Sequence, residues 1–144
     1  MAARDYQEEF WIRLSDEASK RKNLPNFGTP TNASALPSTA GDGVSWVFHF
    51  RAKHIRVGIV TYSVNKHRHP NEVIEVAKPF IDDIEKLTER SVIIDESSDN
   101  SPNGRLYVKI EGFIASNNDT WADTISDALD CMEIFSKILG KEIQ

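Results

Sequence analysis

The sequence predicts an α+β fold in two layers: a four-stranded antiparallel sheet with helices on one face, in the order α-β-β-α-β-β-α. Three observations carry this expectation. Apolar and polar residues alternate over 46–60 and again over 105–111, three segments bear a one-sided apolar stripe at helical spacing, and short turn-forming stretches join the strands in pairs. Two hairpins and three amphipathic helices are best satisfied when the helices share one face of the sheet.

The first helix is expected over about 5–21, where Tyr6, Phe10, Leu14 and Ala18 recur every four residues with Trp11 beside them. Residues 24–43 are rich in Asn, Ser, Thr, Pro, Ala and Gly and define no element. They are expected to form a long polar surface loop, anchored by Phe27 and Leu36. Trp46, Phe48 and Phe50, then Ile55, Val57 and Ile59, mark two strands joined through Ala52-Lys53-His54 as a tight hairpin. Asn71 is placed to cap a second helix carrying Val73, Ala77, Phe80, Ile81, Ile84 and Leu87. Pro79 lies inside it, which predicts a kink near 75–78 or two abutting helices. A short strand over 92–96 and a turn over 97–104 lead to a fourth strand with Leu106, Val108 and Ile110. The last helix carries Trp121, Ile125, Ala128, Leu129, Met132, Phe135 and Leu139, with Thr120 and Asp123 resembling a capping box and Gly140 as the stop.

At 144 residues and 40% hydrophobic content, the chain reads as one domain spanning 1–144. The single Cys131 cannot form an intramolecular disulfide, no secretory leader pattern opens the chain, and no apolar run is long enough for a bilayer. A cytoplasmic protein with no membrane partner is therefore expected.

Charge is the informative feature. Residues 44–71 hold all four histidines and five cations (Arg51, Lys53, Arg56, Lys66, Arg68), while all 22 acidic residues lie outside that segment and the net charge is -5. Such asymmetry concerns a partner more than the fold. Strand alternation places His49, Arg51, Arg56, Tyr62, Tyr107 and Lys109 on the face away from the helices. Lys66, His67, Arg68 and His69 fall in the connection entering the second helix. Tyrosines among cations on an open sheet can stack bases and meet phosphates, so these ten residues form the candidate binding surface. The same residue types also populate ordinary solvent-facing strands.

Metal and catalytic chemistry find less support. His67 and His69, with His49 or His54, could supply nitrogen ligands, but no acidic residue or Cys lies nearby and the surrounding cations oppose a divalent ion. No metal, cofactor or catalytic residue is assigned. A nuclease constellation would need an acidic residue two before Lys109, where Tyr107 stands. Gly41-Asp42-Gly43 reads as a turn, and Cys131 as a buried structural thiol.

Phe10-Trp11 in the first helix, the run IRVGIVTY, Ile84-Glu85, the run RLYVKIEG, Asp119-Thr120-Trp121 and Phe135 together resemble a bacterial and archaeal family of uncharacterised domains. Those domains often stand at the C-terminus of restriction-endonuclease-like, defence-associated proteins. The resemblance implies a fold and a setting near nucleic-acid transactions, and no catalytic residues. The expected function is a non-enzymatic binding or accessory domain that meets nucleic acid or a defence-associated protein through its basic sheet face. Structural homo-oligomerisation is the alternative use of that face, and a metal-dependent nuclease or hydrolase is a third reading.

Overall fold

The computed structural model describes residues 3–63 and 68–144. A 3-10 turn at Ala3–Tyr6 leads into helix α1 (Gln7–Ala18), followed by strands β1 (Ala35–Gly41), β2 (Val44–Phe50) and β3 (Ile55–Thr61). Helices α2 (Pro70–Ala77) and α3 (Ile81–Thr88) come next, then β4 (Ile93–Asp95), β5 (Gly104–Ile110) and helix α4 (Trp121–Leu139). The strands form one antiparallel sheet of five, in the order β1-β2-β3-β5-β4.

The sheet thus has five strands where the sequence predicts four, and the extra strand lies inside the predicted 24–43 loop. β1 reads Ala-Leu-Pro-Ser-Thr-Ala-Gly, with neither alternation nor β-branched bulk to announce it. It is an edge strand, where Pro37 can be accommodated. Its entry is held from the helical layer: Gln7 Nε2 donates to the Asn32 carbonyl at 3.0 Å and Trp11 Nε1 to that of Ala33 at 2.7 Å. Asp42 and Gly43 turn the chain into β2, with Gly43 at φ 69° in the left-handed region.

Alternation sets the register. Trp46 pairs with Ile59 and Ile59 with Leu106, Phe48 with Val57 and Val57 with Val108, Phe50 with Ile55 and Ile55 with Ile110. These rows make one face of the sheet, which joins the buried helical residues in a single apolar cluster. At its centre Phe10, Trp11, Phe50, Phe113 and Trp121 meet mostly edge-to-face, with ring centroids 5.0–6.4 Å apart. Such contacts contribute about 0.5–1.5 kcal/mol per pair beyond burial.

Pro79 divides the second helix as its lost backbone donor requires: α2 stops at Ala77, a 3-10 turn spans Lys78–Phe80, and α3 begins at Ile81. Two cap assignments differ from the sequence reading. His69, not Asn71, caps α2, its Nδ1 accepting the Asn71 backbone N–H at 3.1 Å with Pro70 opening the helix. Asn71 instead clasps Ser97, accepting its N–H at 2.7 Å and donating Nδ2–H to its carbonyl at 3.2 Å. The Thr120 hydroxyl, rather than forming a capping box with Asp123, bonds Ile114 and Asn117 and closes the loop before α4.

Candidate functional site

The reverse face of the sheet is assembled by the same register. His49 of β2 lies opposite Arg56 of β3, and Arg56 lies opposite Lys109 of β5. In the next row Val47, Gly58, Tyr107 and Ile93 stand side by side, and in the row beyond it Ser45, Val60, Arg105 and Asp95. Val47, Val60 and Tyr107 are buried yet lie outside the apolar cluster that the helices share. Long polar side chains help to cover this face.

Contacts within it are specific. The Arg56 guanidinium sits over the Tyr107 ring, 4.7 Å from its centroid. Arg56 Nε donates to His54 Nε2 at 3.3 Å, and the Tyr107 hydroxyl reaches Asp95 Oδ2 at 3.5 Å. Burial, and then the guanidiniums of Arg51, Arg105 and Arg56, push the His49 imidazole down to about 4. His54 is also lowered, chiefly by burial and then by Arg56 and Lys109. Arg51 is lowered by burial, Arg56 and Arg105, whereas burial raises the Tyr107 phenol. The two imidazoles are therefore neutral near pH 7, and His54 can accept the Arg56 proton donor.

Arg51, Arg56, Arg105 and Lys109 take part in none of the ion pairs among the described residues. Arg105 Nε is buried with no hydrogen-bond partner among the described residues. Arg51 spends one N–H on the carbonyl of Phe50. Among the described residues most guanidinium donors on this face remain uncommitted, since each group carries five.

The ten candidate residues separate. His49, Arg51, Arg56, Tyr107 and Lys109 belong to this face. Tyr62 follows β3, half-buried, with its N–H donating to the Gly43 carbonyl at 2.8 Å. Arg68 is held at the β1–β2 turn, bonding the carbonyls of Asp42 and Ile143 at 2.9 and 2.7 Å, and His69 caps α2. Lys66 and His67 lie outside the described residues. Base stacking on Tyr107 is not available, because that ring is 6% exposed and lies beneath Arg56. Arg105 joins the site without having been among the candidates, although its alternation with Tyr107 and Lys109 on β5 carried the signal. Among the described residues, no three His, Cys, Asp or Glu side chains are grouped to hold a metal ion.

A cleft of about 1350 Å³ opens between residues 22–26, β1 and the C-terminal half of α4, with Trp46 in its wall. None of the described candidate cations lines it. No helix of the described residues is long and apolar enough to cross a membrane.

No family model matches the chain, and no curated protein matches it. Among solved structures, YbjN from E. coli, described as a candidate transcription regulator, aligns over 90% of both chains with a TM-score of 0.40 and 13% identity.

Proposed function

We propose that this protein is a non-enzymatic binding or accessory domain whose reverse sheet face contacts nucleic acid. One observation carries the reading: Arg51, Arg56, Arg105 and Lys109 share a face and form no ion pair among the described residues, in a chain of net charge -5. Elsewhere Arg13, Lys20, Arg21, Lys78 and Arg90 are each paired with a carboxylate, while Lys22, Lys86, Lys137 and Lys141 are also outside the ion pairs among the described residues, so it is the gathering on one face that sets the four apart. Clustered unpaired cations are what phosphate binding needs. The resemblance to domains of defence-associated proteins fits a place beside a nucleic-acid-processing partner. A homodimer through this face would set the same cations against one another across a twofold axis, which opposes that use.

The test is fluorescence anisotropy with single-stranded DNA and RNA at low salt. Binding should weaken with added salt and weaken further when Arg51, Arg56 and Lys109 are replaced by Ala. Flat curves for every nucleic acid would remove the proposal.

A further inference from the structure

We propose that the cleft between residues 22–26, β1 and the C-terminal half of α4 holds an extended segment of a partner polypeptide, an apolar side chain flanked by acidic ones, with Trp46 Nε1 donating to one of its backbone carbonyls. The cleft lies on the helical side of the sheet, so this inference stands apart from the nucleic-acid reading of the reverse face.

The space follows from the residues of β1. Leu36 lies opposite Phe48, and Phe27 fills that row, its ring centroid 4.9 Å from that of Phe48. One row on, Ser38 lies opposite Trp46, and two residues later stands Ala40. These short side chains leave the floor open beside α4. The walls are fixed in place. The Ser38 hydroxyl donates to the Asn26 carbonyl at 2.7 Å, and Arg21, just before the 22–26 segment, bonds Asp130 and Glu133 of α4 at 2.7 and 3.4 Å.

The tryptophans mark what is missing. The indole N–H of Trp11 donates to the Ala33 carbonyl at 2.7 Å, and that of Trp121 to the Ile114 carbonyl at 3.3 Å. Trp46 is 5% exposed, and its N–H has no partner among the described residues. It is not sealed off either. The buried side-chain N and O atoms without a partner among the described residues are Thr61 Oγ1 and Arg105 Nε, so the Trp46 N–H remains open beside the cleft that it lines. A side chain more than nine-tenths buried that keeps one donor open in a cleft wall is the kind of polar group that fixes a ligand's orientation. In this fold the group that answers an indole N–H is a peptide carbonyl.

Size and charge select the occupant. The cleft, at about 1350 Å³, exceeds the roughly 300–1,000 Å³ of pockets for small molecules. From Asp130 to Gly140 its helical wall rises about 15 Å, which about four or five residues of extended chain would span. Leu24, Pro25 and Ile134 give apolar contact to a side chain seated over Ser38. Because Arg21 holds both Asp130 and Glu133, the uncommitted charges in the walls are those of Lys22 and Lys137, which are exposed and outside the ion pairs among the described residues. They call for acidic flanks. Pro37 lacks an N–H and blunts the edge of β1, so the segment lies over the strand's face rather than pairing as a further strand.

The experiment uses the full chain and a capped heptapeptide with leucine at its centre and glutamates beside it. The same peptide with lysines for glutamates, N-acetylleucine amide and a single-stranded oligonucleotide serve as separate probes. In NMR spectra the Trp46 indole resonance should shift with the acidic peptide while those of Trp11 and Trp121 stay in place. The Trp46 N–H should also exchange with water faster than the other two until the peptide is added. Trp46→Phe keeps a ring and removes the donor, and should weaken binding about three- to tenfold, the scale of one hydrogen bond. Lys22→Glu combined with Lys137→Glu, both at exposed positions, should erase the preference for the acidic peptide over the lysine one.

An unmoved Trp46 resonance at millimolar acidic peptide, or unchanged affinity in these variants, would overturn the proposal. Equal binding of the acidic and lysine peptides would overturn the acidic occupant. Binding of N-acetylleucine amide as tight as that of the peptide would overturn the assignment to a polypeptide segment, and so would a shift of the Trp46 resonance with the oligonucleotide. Failure of the oligonucleotide to bind anywhere bears on the proposed function alone and leaves the cleft's peptide result standing.

Discussion

His49 shows how a single residue registers the whole sheet face. Its pKa is depressed to about 4 from an ordinary 6.5, so the unfolded chain binds the extra proton between those values. Its contribution to stability is therefore complete above about pH 6.5 and is lost as pH falls toward 4. The loss should be on the order of 2 kcal/mol, after allowance for screening, and urea midpoints from pH 8 to pH 4 should show it. His49→Gln should flatten that part of the profile. A nucleic acid bound at this face would relieve the same repulsion, so binding near pH 5 should take up protons, measurable as a buffer-dependent heat. Gly58 acts by geometry instead. A Cβ there would lie 2.0 Å from the Leu106 carbonyl oxygen and 2.7 Å from Tyr107 Cα, so Gly58→Ala must push β3 and β5 apart. A fall in stability of about 1–3 kcal/mol is expected in thermal denaturation. Alternation made His49, Arg51, Arg56 and Lys109 legible in the sequence. It could not show Tyr107 pinned under Arg56, because that depends on a side-chain direction across two strands.

Elements were legible where apolar spacing was strong and illegible where backbone pairing alone decided. β2, β3, β5 and α4 carry dense apolar residues in the period of their own geometry, and their places follow from it. β1 has one buried apolar side chain, Leu36, and owes its form to hydrogen bonding with β2 and to the bonds that Gln7 and Trp11 send to Asn32 and Ala33. Long-range contacts of that kind leave no local pattern. The same holds for the Asn71–Ser97 clasp, which spans 26 residues and ties the start of α2 to the chain just after β4. Asn71→Ala removes both bonds and leaves the half-buried Ser97 backbone groups unpaired. A cost of about 1–3 kcal/mol is expected, with faster amide exchange in β4 than in β2 or β3. His69→Ala should cost less, about 1 kcal/mol, through loss of the α2 cap.

Across the whole molecule, charge is divided by layer. The α-helices carry acids throughout, from Glu8 and Glu9 of α1 to Asp123, Asp127, Asp130 and Glu133 of α4, against Arg13, Lys86 and Lys137. The strands carry Arg56, Arg105 and Lys109 against Asp95. Binding to a single strand through about four phosphates should give a slope near -3 in log affinity against log salt. Each Ala replacement of a contacting cation should reduce that slope by about 0.7. Composition showed the net acidity and the basic segment, but only the folded arrangement sets them back to back. The division makes each copy of the chain a polar brick with complementary top and bottom. Without a polyanion at low ionic strength, any contact between copies is expected to set the helical layer of one against the sheet of the next. That head-to-tail contact has no twofold axis to close it, so it adds copies in a row rather than stopping at a pair. Light scattering should therefore rise as salt is lowered and fall again when an oligonucleotide occupies the sheet face.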